Sequence, residues 1–346
     1  VFNRSELIEV ATFRSGENKE NDGNLVTDRT GKILRDNIWG TLEQDTFRRD
    51  FTVNALYYCP VSKKIEDHNS GIKHIRDKKI VSIGDPIKRF SEDPVRSLRA
   101  IRFSNKLQFK IDSKIKDAIY KQGHLLSHIS NARLFDEFCK IFLNGIAEKN
   151  FKKLESYGLN QYLILTNPND TIFSSELIKE ALRNTDKRFV ENKSITPGFL
   201  IAAMLWPELI KRASKNDEIN LRKFFRSMDQ VLKNQQNITA IPRKFHTYIK
   251  DIWILQLKLH SRIGKQPYKT LKHPRFRAAY DFLLIREKAS KCKPDLGSWW
   301  TKFQKNDPSS QKSLISNLRE LTEEQSFKKF GFPEELISVS YTHLRA

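Results

Sequence analysis

The sequence has 346 residues, which is enough for two or three domains with sizeable cores. Lys and Arg number 62 against 41 Asp and Glu, so the formal net charge is +21. The segment 241–290 alone holds 12 basic and three acidic residues. Such self-repulsion favours a polyphosphate partner over an anionic membrane, because the sequence shows no basic amphipathic terminal helix and no lipidation motif.

Apolar runs and cysteines exclude two further classes of protein. The longest apolar run, FLIAAMLW at 199–206, has eight residues and precedes Pro207, so it is too short to cross a bilayer. Cys59, Cys139 and Cys292 lie far apart, without the paired spacing of a zinc site. No secretory pattern opens the sequence. We therefore expect a cytoplasmic protein with reduced thiols and no membrane contact.

The N-terminal part of the sequence mixes strand and helix signals. ELIEVATFR (6–14) predicts a strand, and the stretch 15–32, rich in Gly, Asn and Asp, predicts a loop. Residues 41–58 have the pattern of a helix that runs into a β-rich stretch. LYYC and KIEDH flank the turn PVSK and predict a hairpin, and KIVSIG (79–84) predicts a further strand.

Helical signals dominate after Pro86. Apolar residues recur with a helical period in the segments 112–123, 132–145, 148–157, 174–184, 197–212 and 246–260. The predicted fold class is therefore α+β, a small mixed α/β part followed by a mostly α-helical body. The polar stretch KNDPSSQKS (305–313) interrupts this helical pattern.

RFSEDPVRSLRAIRF places two acids and a proline before regularly spaced arginines. Ser91 predicts the N-cap of a helix whose first turn holds Glu92 and Asp93. Asp93 and Arg96, like Glu92 and Arg96, are spaced for ordinary ion pairs on a helix surface. The alternative is that Asp93 and Arg96 read a base edge. Adenine presents an amino donor beside a ring-nitrogen acceptor, which requires an acceptor and a donor side by side.

RRDFTVNAL (48–56) is a second cluster of charged and amide groups. If Phe51 anchors this segment as a helix, Asp50 and Asn54 share one helix face. Asp50 is then either a simple helix cap beside surface arginines or part of a binding site. In a binding site, Arg49 contacts phosphate oxygens, while Asp50 and Asn54 contact ribose hydroxyls.

RRDFTVNALYY, DHNSGIKHIRD and GDPIKRFSEDPVRSLRAIRF follow one another in this order. They resemble consecutive motifs of the class II nucleotidyltransferases, the superfamily of bacterial poly(A) polymerases and tRNA CCA-adding enzymes. The resemblance implies a ribose- and phosphate-binding segment at Arg49, Asp50 and Asn54, then a flexible hinge, then a base-selecting helix. It also implies part of a nucleotidyltransferase (palm) domain, followed by a helical neck and body.

The resemblance implies specific roles on the base-selecting helix. Asp93 would accept a hydrogen bond from the adenine amino group, and Arg96 would donate one to a ring nitrogen. Glu92 would orient Arg96, four residues further on. Arg99 and Arg102 would either contact phosphates or brace the helix. Protein side chains would thus take the place of a nucleic-acid template.

The hinge motif departs from the family pattern Asp-x-x-Gly-Gly-x-x-Asp. Here Asp67 is followed by Ser70, Gly71 and His74. Serine in place of the first glycine restricts the backbone, and His74 removes a carboxylate. We therefore expect the hinge to behave differently from that of the family.

Phosphoryl transfer in this superfamily uses carboxylates that hold two Mg²⁺ ions. The family's Asp-x-Asp segment does not occur before Glu9, so we expect it upstream and expect this chain alone to be inactive. Glu9 is similar to the carboxylate of the EVxTFR strand and is the candidate catalytic residue. The sequence does not begin with Met, and SYTHLRA (340–346) shares no pattern with what precedes it. We therefore predict a chain clipped at both ends with a non-native tail.

The helical body resembles that of bacterial poly(A) polymerases more than that of CCA-adding enzymes. The resemblance includes TPGFLIAAMLWPEL, DIWILQLKL, KHPRFRAAYDFLLIR and WWTKFQ, and covers nearly all of residues 1–305. Most of the aromatic side chains, such as Trp253, are expected in the core. SRIGKQPYKTLKHPRFR (261–277) differs, because basic residues alternate there with rings, including Phe276. It is either a solvated basic face or a single-stranded RNA track of Lys265, Tyr268, Lys269, Lys272, Arg275 and Arg277.

The expected domains are a partial palm (1–85), a nucleobase-binding neck (86–150), an RNA-binding body (151–305) and a polar, partly helical extension (306–339). The implied function is template-independent addition of AMP from ATP to RNA 3′ ends in RNA processing and decay. Mg²⁺ is the implied cofactor, and ATP, RNA 3′ ends and RNA-decay proteins are the implied partners. CCA addition to tRNA and a non-catalytic RNA-binding homologue are the alternatives.

Overall fold

The structure of the protein is a computed structural model, and it describes residues 2–3, 6–7, 10–15, 39–165, 172–213, 221–290 and 295–316. The chain divides into two compact units, residues 1–126 and 127–346. A search of the described residues finds no helix with the length and apolarity needed to span a membrane. The predicted tail 340–346 and nearly all of the predicted loop lie outside the described residues. The predicted domain boundaries at 85 and 150 stay predictions.

Short strands occur in the first unit, where the described residues form three two-stranded ladders. The strands are β1 (Phe2–Asn3), β2 (Glu6–Leu7), β3 (Leu56–Cys59), β4 (Lys64–Asp67), β5 (Lys79–Ile80) and β6 (Lys110–Ile111). β1 pairs antiparallel with β2, and β5 pairs parallel with β6. β3 and β4 form the predicted antiparallel hairpin, with Leu56 opposite Asp67 and Cys59 opposite Lys64.

The strand predicted over 6–14 is wrong in its C-terminal part. Glu6–Leu7 is a strand, but residues 10–13 are in no regular element and Val10 is exposed. Arg14 makes a single bridge to Trp39, so this stretch has too little pairing for a ladder. Strand β6 was not predicted, because two residues give too short an alternating pattern.

The described residues contain fifteen α-helices. They are α1 (Leu42–Arg48), α2 (Gly71–Arg76), α3 (Pro86–Glu92), α4 (Val95–Leu107), α5 (Ser113–Gln122), α6 (Asn131–Phe142), α7 (Ala147–Ser156), α8 (Ile172–Val190), α9 (Pro197–Ala213), α10 (Leu221–Gln236), α11 (Arg243–Lys258), α12 (Gln266–Leu271), α13 (Phe276–Ser290), α14 (Leu296–Lys305) and α15 (Pro308–Ser316). The six segments with a helical period match α5, α6, α7, α8, α9 and α11. The predicted α+β class, with a helical body, is confirmed.

The core of the first unit is built around the segment that follows α1. Phe51 is fully buried and meets Phe103 edge to face, with 6.1 Å between ring centroids. Phe90 of α3, together with Leu98 and Ile101 of α4, completes the apolar layer. The apolar positions of α4 lie inward, and its arginines Arg96, Arg99 and Arg102 are partly buried beside them.

The second unit is centred on α9, which is buried along most of its length. Helices α8, α10 and α11 pack around it. Trp253 of α11 is fully buried, as predicted, and its indole Nε1 donates to the carbonyl of Ala202 at 2.9 Å. A further apolar cluster joins α13 and α14, where Trp300 Nε1 donates to the carbonyl of Leu259 at 2.8 Å. The indole N–H groups of Trp253 and Trp300 thus each have a hydrogen-bond acceptor.

Buried polar groups lie between the apolar layers of the second unit. Arg286 donates to Gln256 Oε1 at 3.0 Å, and its guanidinium lies 4.7 Å from the ring centroid of Trp206. Burial lowers the pKa of Arg286 to about 10. Burial, followed by the charges of Arg286 and Arg262, lowers the pKa of His260 to about 3. His260 is therefore neutral in the folded protein near neutral pH.

The depressed pKa of His260 makes the stability of the second unit depend on pH. An unfolded histidine binds a proton near pH 6.5, whereas folded His260 does not, so acidification favours unfolding. Between pH 7 and pH 5 this histidine alone should remove about 2 kcal/mol from the free energy of unfolding. His260→Gln should lose that part of the pH dependence. Urea unfolding followed by tryptophan fluorescence measures it, since Trp206, Trp253, Trp299 and Trp300 lie in this unit.

The matched control is His128→Gln, which replaces an exposed histidine of the same unit. It should keep the wild-type loss of stability between pH 7 and pH 5. An identical loss in the His260→Gln protein would show that His260 is not responsible.

Candidate functional site

Helix α1 ends in a cluster of hydrogen bonds on Asp45. Arg48 Nε donates to Oδ1 at 2.7 Å, and Arg49 Nε donates to Oδ2 at 3.1 Å. The hydroxyl of Tyr57 and the backbone N–H of Arg14 also donate to this carboxylate. Burial favours the neutral acid, but the hydrogen bonds outweigh it and lower the pKa of Asp45 to about 2.

Arg49 is held by this cluster. Besides Asp45, its Nε donates to the Tyr57 hydroxyl at 2.8 Å and its Nη1 to the carbonyl of Asn54 at 3.3 Å. The sequence interpretation missed Asp45 and Tyr57. Asp45 precedes Arg48 and Arg49 by three and four residues, and this spacing was the available signal.

Asp50 and Asn54 meet, but not on one helix as predicted. Helix α1 ends at Arg48, the backbone at Arg49 is extended, and Asn54 lies in a 3₁₀ turn, Thr52–Asn54. Asn54 Nδ2 donates to Asp50 Oδ1 at 3.1 Å. The helical spacing is overridden because Phe51 forms a bridge with Ser82 beside β5, which requires an extended backbone.

Asp50 also links this segment to helix α4. Arg99 Nε donates to Asp50 Oδ2 at 2.5 Å, and the backbone N–H of Phe51 donates to Oδ1 at 2.9 Å. The Asp50 side chain is only 7% exposed. Arg99 and Arg102 both lie over the Phe103 ring, with their guanidinium carbons 5.2 and 4.6 Å from its centroid. The structure therefore brings Asp50, Asn54 and Arg99 together.

The predicted helix start at Ser91 is wrong. Ser91 lies inside α3, and its hydroxyl donates to the carbonyl of Ile87 at 3.0 Å. Helix α3 ends at Glu92, Asp93 is extended, and α4 begins only at Val95. Pro94 is the physical reason, because it lacks an N–H and disfavours helical geometry at the residue before it. Asp93 Oδ1 instead accepts from the Val95 N–H at 3.3 Å.

The contact predicted between Glu92 and Arg96 is present across this helix break. Arg96 Nη1 lies 3.4 Å from Glu92 Oε2 and donates to the carbonyl of Arg89 at 2.8 Å. Arg89 Nη1 donates to the same Glu92 oxygen at 2.9 Å. Burial, together with the charge of Arg89, lowers the pKa of Arg96.

Arg89 is a further residue that the sequence interpretation missed. Its Nη2 donates to the carbonyls of Arg48 and Arg49 at 2.6 and 2.8 Å. One guanidinium therefore fixes α3 to the end of α1 and also contacts Glu92. Its position three residues before Glu92 indicated an ion pair, but nothing local indicated the contact with α1.

The hinge motif is closed by Asp67, which accepts from the N–H groups of Gly71 and Ile72 at 2.8 and 3.0 Å. Burial opposes ionisation, but these backbone bonds lower the pKa of Asp67. Ser70, where the family has glycine, adopts φ +57°, the left-handed region that glycine favours. A Cβ on Gly71 would lie 2.5 Å from the Thr52 carbonyl oxygen, so this glycine permits a close backbone approach.

His74 replaces the second carboxylate of the hinge and makes a different contact. Its Nδ1 lies 2.9 Å from the Thr52 hydroxyl, so α2 is tied to the 3₁₀ turn that carries Asn54. Whether this motif bends as a hinge stays a prediction.

The basic segment 261–277 contains both exposed residues and residues that belong to the core. Lys265, Lys269 and Lys272 are exposed along the short helix α12, while Tyr268 is half-buried against Phe303. The interpretation of Phe276 as a ring available for stacking is wrong. Phe276 is buried with 6% exposure, because its ring packs against Tyr280 and Trp300 in the α13–α14 cluster.

Arg275 and Arg277 are exposed, but each contacts another side chain. The Arg275 guanidinium lies 4.9 Å from the ring centroid of Tyr248, and Arg277 Nε lies 3.1 Å from Asp281 Oδ1. The five basic residues of the predicted track are therefore accessible, and Tyr268 is partly so. Their contact with RNA stays a prediction.

Glu9, the candidate catalytic residue, lies outside the described residues. Among the side chains that the structure describes, no group of three or more His, Cys, Asp or Glu could hold a metal ion. The described residues by themselves therefore do not fit a Mg²⁺ site.

Three family models match the chain. The poly A polymerase head domain matches residues 1–81, which contain the Asp45 cluster. The probable RNA and SrmB-binding site of polymerase A matches residues 108–168. The arginine-rich C-terminus of polymerase A matches residues 217–330, which include the basic segment 261–277.

Relatives of known name point the same way. The chain is 40% identical over 333 residues to poly(A) polymerase I of Escherichia coli, a match that spans 91% of this chain and 70% of the relative. It is 37% identical to poly(A) polymerase I of Haemophilus influenzae, across 93% of this chain and 73% of the relative. A CCA-adding enzyme of Anoxybacillus flavithermus is 35% identical, but across only 52% of this chain and 42% of the relative.

Solved structures are similar in fold. The Bacillus stearothermophilus CCA-adding enzyme in complex with CTP matches 90% of this chain and 64% of its own, with a TM-score of 0.51 and 21% identity. The Thermotoga maritima CCA-adding enzyme complexed with tRNA matches 86% of this chain and 72% of its own, with a TM-score of 0.51 and 18% identity. At these identities the similarity establishes the fold alone.

The match to the poly A polymerase head domain and the relatives of 37–40% identity define the class of the chain as nucleotidyltransferase. Within that class, the chain belongs to the poly(A) polymerase family. Members of this family are polynucleotide adenylyltransferases that act on RNA 3′ ends. The family predicted from the three ordered motifs is confirmed, and adenylation of RNA is better supported than CCA addition.

The hydrogen bonds on Asp45 should make it important for the stability of the first unit. Its folded pKa lies below the unfolded value, so ionised Asp45 stabilises the fold above about pH 4, and the effect fades as pH falls towards 2. Asp45→Asn should lower the free energy of unfolding by about 2 kcal/mol at pH 7. Urea unfolding at pH 7 measures this loss. Glu43→Gln, an exposed change in the same helix, should leave stability within about 0.5 kcal/mol of wild type; equal losses in both variants would contradict the assignment.

Proposed function

We propose that this adenylyltransferase uses ATP to add AMP to RNA 3′ ends and selects adenine with Asp93 and Arg96. The observation that supports this most is the fixed position of Arg96. Its Nη1 is held by the carboxylate of Glu92 and the carbonyl of Arg89. Among the described residues, both bonds are made by Nη1 of Arg96. Its Nη2 and Nε therefore remain as donors for a ring nitrogen of the base.

Asp93 supplies the matching acceptor. Its Oδ1 caps α4 through the Val95 N–H, and a carboxylate has lone pairs for further donors such as the adenine amino group. Arg96 is largely buried, with a side-chain exposure of 13%. Its burial supports selectivity. A base without a matching acceptor would leave the desolvated guanidinium without a hydrogen-bond partner, and the binding free energy of that base would be less favourable.

Arg99 is the residue that we propose for phosphate, with Asp50 as its positioning residue. Asp50 already accepts from Asn54, Phe51 and Arg99, so its oxygens orient these neighbours. Arg99 keeps 30% of its side chain exposed, which allows a guanidinium fixed at Nε to contact a phosphate through its remaining N–H groups. Arg49, which Asp45 and Tyr57 hold in place, is likewise proposed to contact a phosphate.

Mg²⁺ as the cofactor, a cytoplasmic location and a role in RNA decay complete the proposal. Family membership supports Mg²⁺ and ATP, since nucleotidyltransfer depends on metal-aligned phosphates. The match of residues 108–168 to a probable RNA and SrmB-binding site supports a protein partner as well as RNA. ATP and RNA are cytoplasmic substrates, which supports the location.

The proposed base contacts predict a change in nucleotide choice. Asp93→Ala and Arg96→Ala should each lower the ratio of kcat/KM for ATP to that for CTP by about fivefold or more, since a matched base contact is worth roughly 1–3 kcal/mol. The double variant should be clearly less than additive, because both contacts serve one base. Primer extension with each nucleotide measures the ratio, in the intact enzyme that includes the upstream Asp-x-Asp segment.

Asp93 also caps α4, so stability must be separated from selectivity. Asp93→Asn keeps an acceptor for the Val95 N–H but replaces the negative charge, and it should also lower the ratio. Variants that lose melting temperature while retaining the wild-type ratio would mean that these residues only hold the helices together. Equal use of CTP and ATP by the wild-type enzyme, ending at CCA, would overturn the proposed activity.

The exposed lysines of α12 predict the salt dependence of RNA binding. Each phosphate neutralised on a single strand contributes ~0.7 to the slope of log affinity against log salt concentration. Replacing Lys265, Lys269 and Lys272 by Ala should therefore flatten the slope by up to about 2. Nucleotide choice should not change. Fluorescence anisotropy with a labelled single-stranded RNA measures the slope.

The matched control replaces Lys302, Lys305 and Lys312, three exposed lysines outside the predicted track. This triple variant removes the same charge and should keep the wild-type slope. If both triple variants flatten the slope equally, only net charge matters and the segment 261–277 is not the track.

A further inference from the structure

The second unit contains two adjoining cavities that the base-selecting helix and the lysines of α12 do not explain. Their volumes are about 210 and 330 Å³, and both are lined by Arg188, Arg277 and Asp281. Helices α8, α9, α11 and α13 supply the walls of the smaller cavity, so it is built from packed elements. Its volume is below the ~300–1,000 Å³ of drug-sized sites and suits a single planar ring.

Asp281 is the acceptor in the smaller cavity. Its side chain is 13% exposed and lies between two guanidinium groups, with Arg277 Nε 3.1 Å from Oδ1 and Arg188 Nη1 3.4 Å from Oδ2. Arg188 is fixed in turn, since its Nη2 and Nε donate to the Ser194 carbonyl at 2.9 and 3.1 Å. A carboxylate has about four acceptor positions, so Asp281 can accept from a ligand as well.

The walls of the same cavity offer flat stacking surfaces. Tyr248 lines it and lies against the guanidinium of Arg275, 4.9 Å from ring centroid to guanidinium carbon. Phe199 lines it from α9. Aromatic rings and guanidinium planes are the surfaces on which unpaired bases stack.

The larger cavity has the excess of positive charge that favours binding of a nucleic-acid strand. Six cationic and three acidic side chains line it. Lys187, Lys193 and Lys288 are well exposed at its rim, although each contacts Glu191 or Glu180. Lysines in exposed ion pairs exchange partners at little cost, so phosphates can compete for them.

We propose that the smaller cavity binds one adenine of the RNA tail, with the flanking phosphates on the rim of the larger cavity. The adenine amino group would donate to Asp281, the Arg277 guanidinium would donate to a ring nitrogen, and the base would stack beside Tyr248 and Arg275. This site rests on the proposed adenylation of RNA and would retain the growing tail. It is separate from the site that selects the incoming nucleotide, because all its residues lie in the second unit.

The test is binding without ATP, so it does not depend on catalysis. Oligo(A) is compared with oligomers in which one internal adenosine at a time is replaced by purine riboside, which lacks only the amino group. The 3′-terminal nucleotide stays unchanged. In wild type, one internal position should weaken binding by about fivefold or more, the effect of one lost base contact. No position should weaken binding to Asp281→Ala, which has no side-chain acceptor for the amino group.

Lys302→Ala is the matched control, since it removes an exposed charge that lines neither cavity, and it should keep the wild-type pattern. A wild-type scan without a sensitive internal position would overturn the proposal. A sensitive position that persists in folded Asp281→Ala would overturn it as well. Failure of ATP-dependent extension by the intact enzyme, with a normal scan, would instead count against the proposed function.

A second measurement covers the case in which Asp281→Ala does not fold. Oligo(A) with 8-azidoadenosine at the sensitive position is photo-crosslinked to the wild-type protein and mapped by mass spectrometry. The cross-link should fall on a peptide that contains Tyr248 or on residues 274–281. Cross-links confined to the first unit would overturn the site.

Discussion

The buried carboxylate of Asp50 is the interaction on which the first unit depends. It accepts hydrogen bonds from Phe51, Asn54 and Arg99, and Arg99 comes from a helix 49 residues further along the chain. The three partners thereby join the segment 50–54 to helix α4. A buried carboxylate without such partners would destabilise the fold by several kcal/mol. The charge of Asp50 and the positions of its three partners therefore depend on each other.

The helix break at Pro94 sets the positions of Asp93 and Arg96, the pair proposed to select the base. It frees Asp93 from helical geometry, and the carboxylate then caps α4. Arg89 connects the preceding helix to the backbone at Arg48 and Arg49, and Glu92 contacts both Arg89 and Arg96. A protein that chooses a nucleotide without a template needs donors and acceptors fixed before the base arrives, because ordering them afterwards would reduce the discrimination.

In the second unit, some titratable side chains are buried in the core and others are exposed at the surface. Arg286 and His260 lie among apolar layers, where burial lowers the pKa of each, and they contribute to the core. The lysines of α12 and of the cavity rim remain exposed and are available to phosphates. Arg275 and Arg277 lie at the meeting point of the two regions, since both line the cavity and belong to the basic segment 261–277. The predicted RNA track along α12 and the proposed cavity site therefore share these two arginines.

The sequence by itself determined the α+β class, the β3–β4 hairpin, the main helices, the family and the contact between Glu92 and Arg96. These depend on local periodicity, on turn residues and on pairs a few positions apart, which a linear pattern records. The tertiary structure alone decided that Asp50 meets Arg99, that Arg89 holds the end of α1, that Phe276 is core and that Asp281 lines a cavity with Tyr248. In each case the partners lie far apart in the chain or on different helices, and helix packing and burial, which no local pattern contains, bring them together.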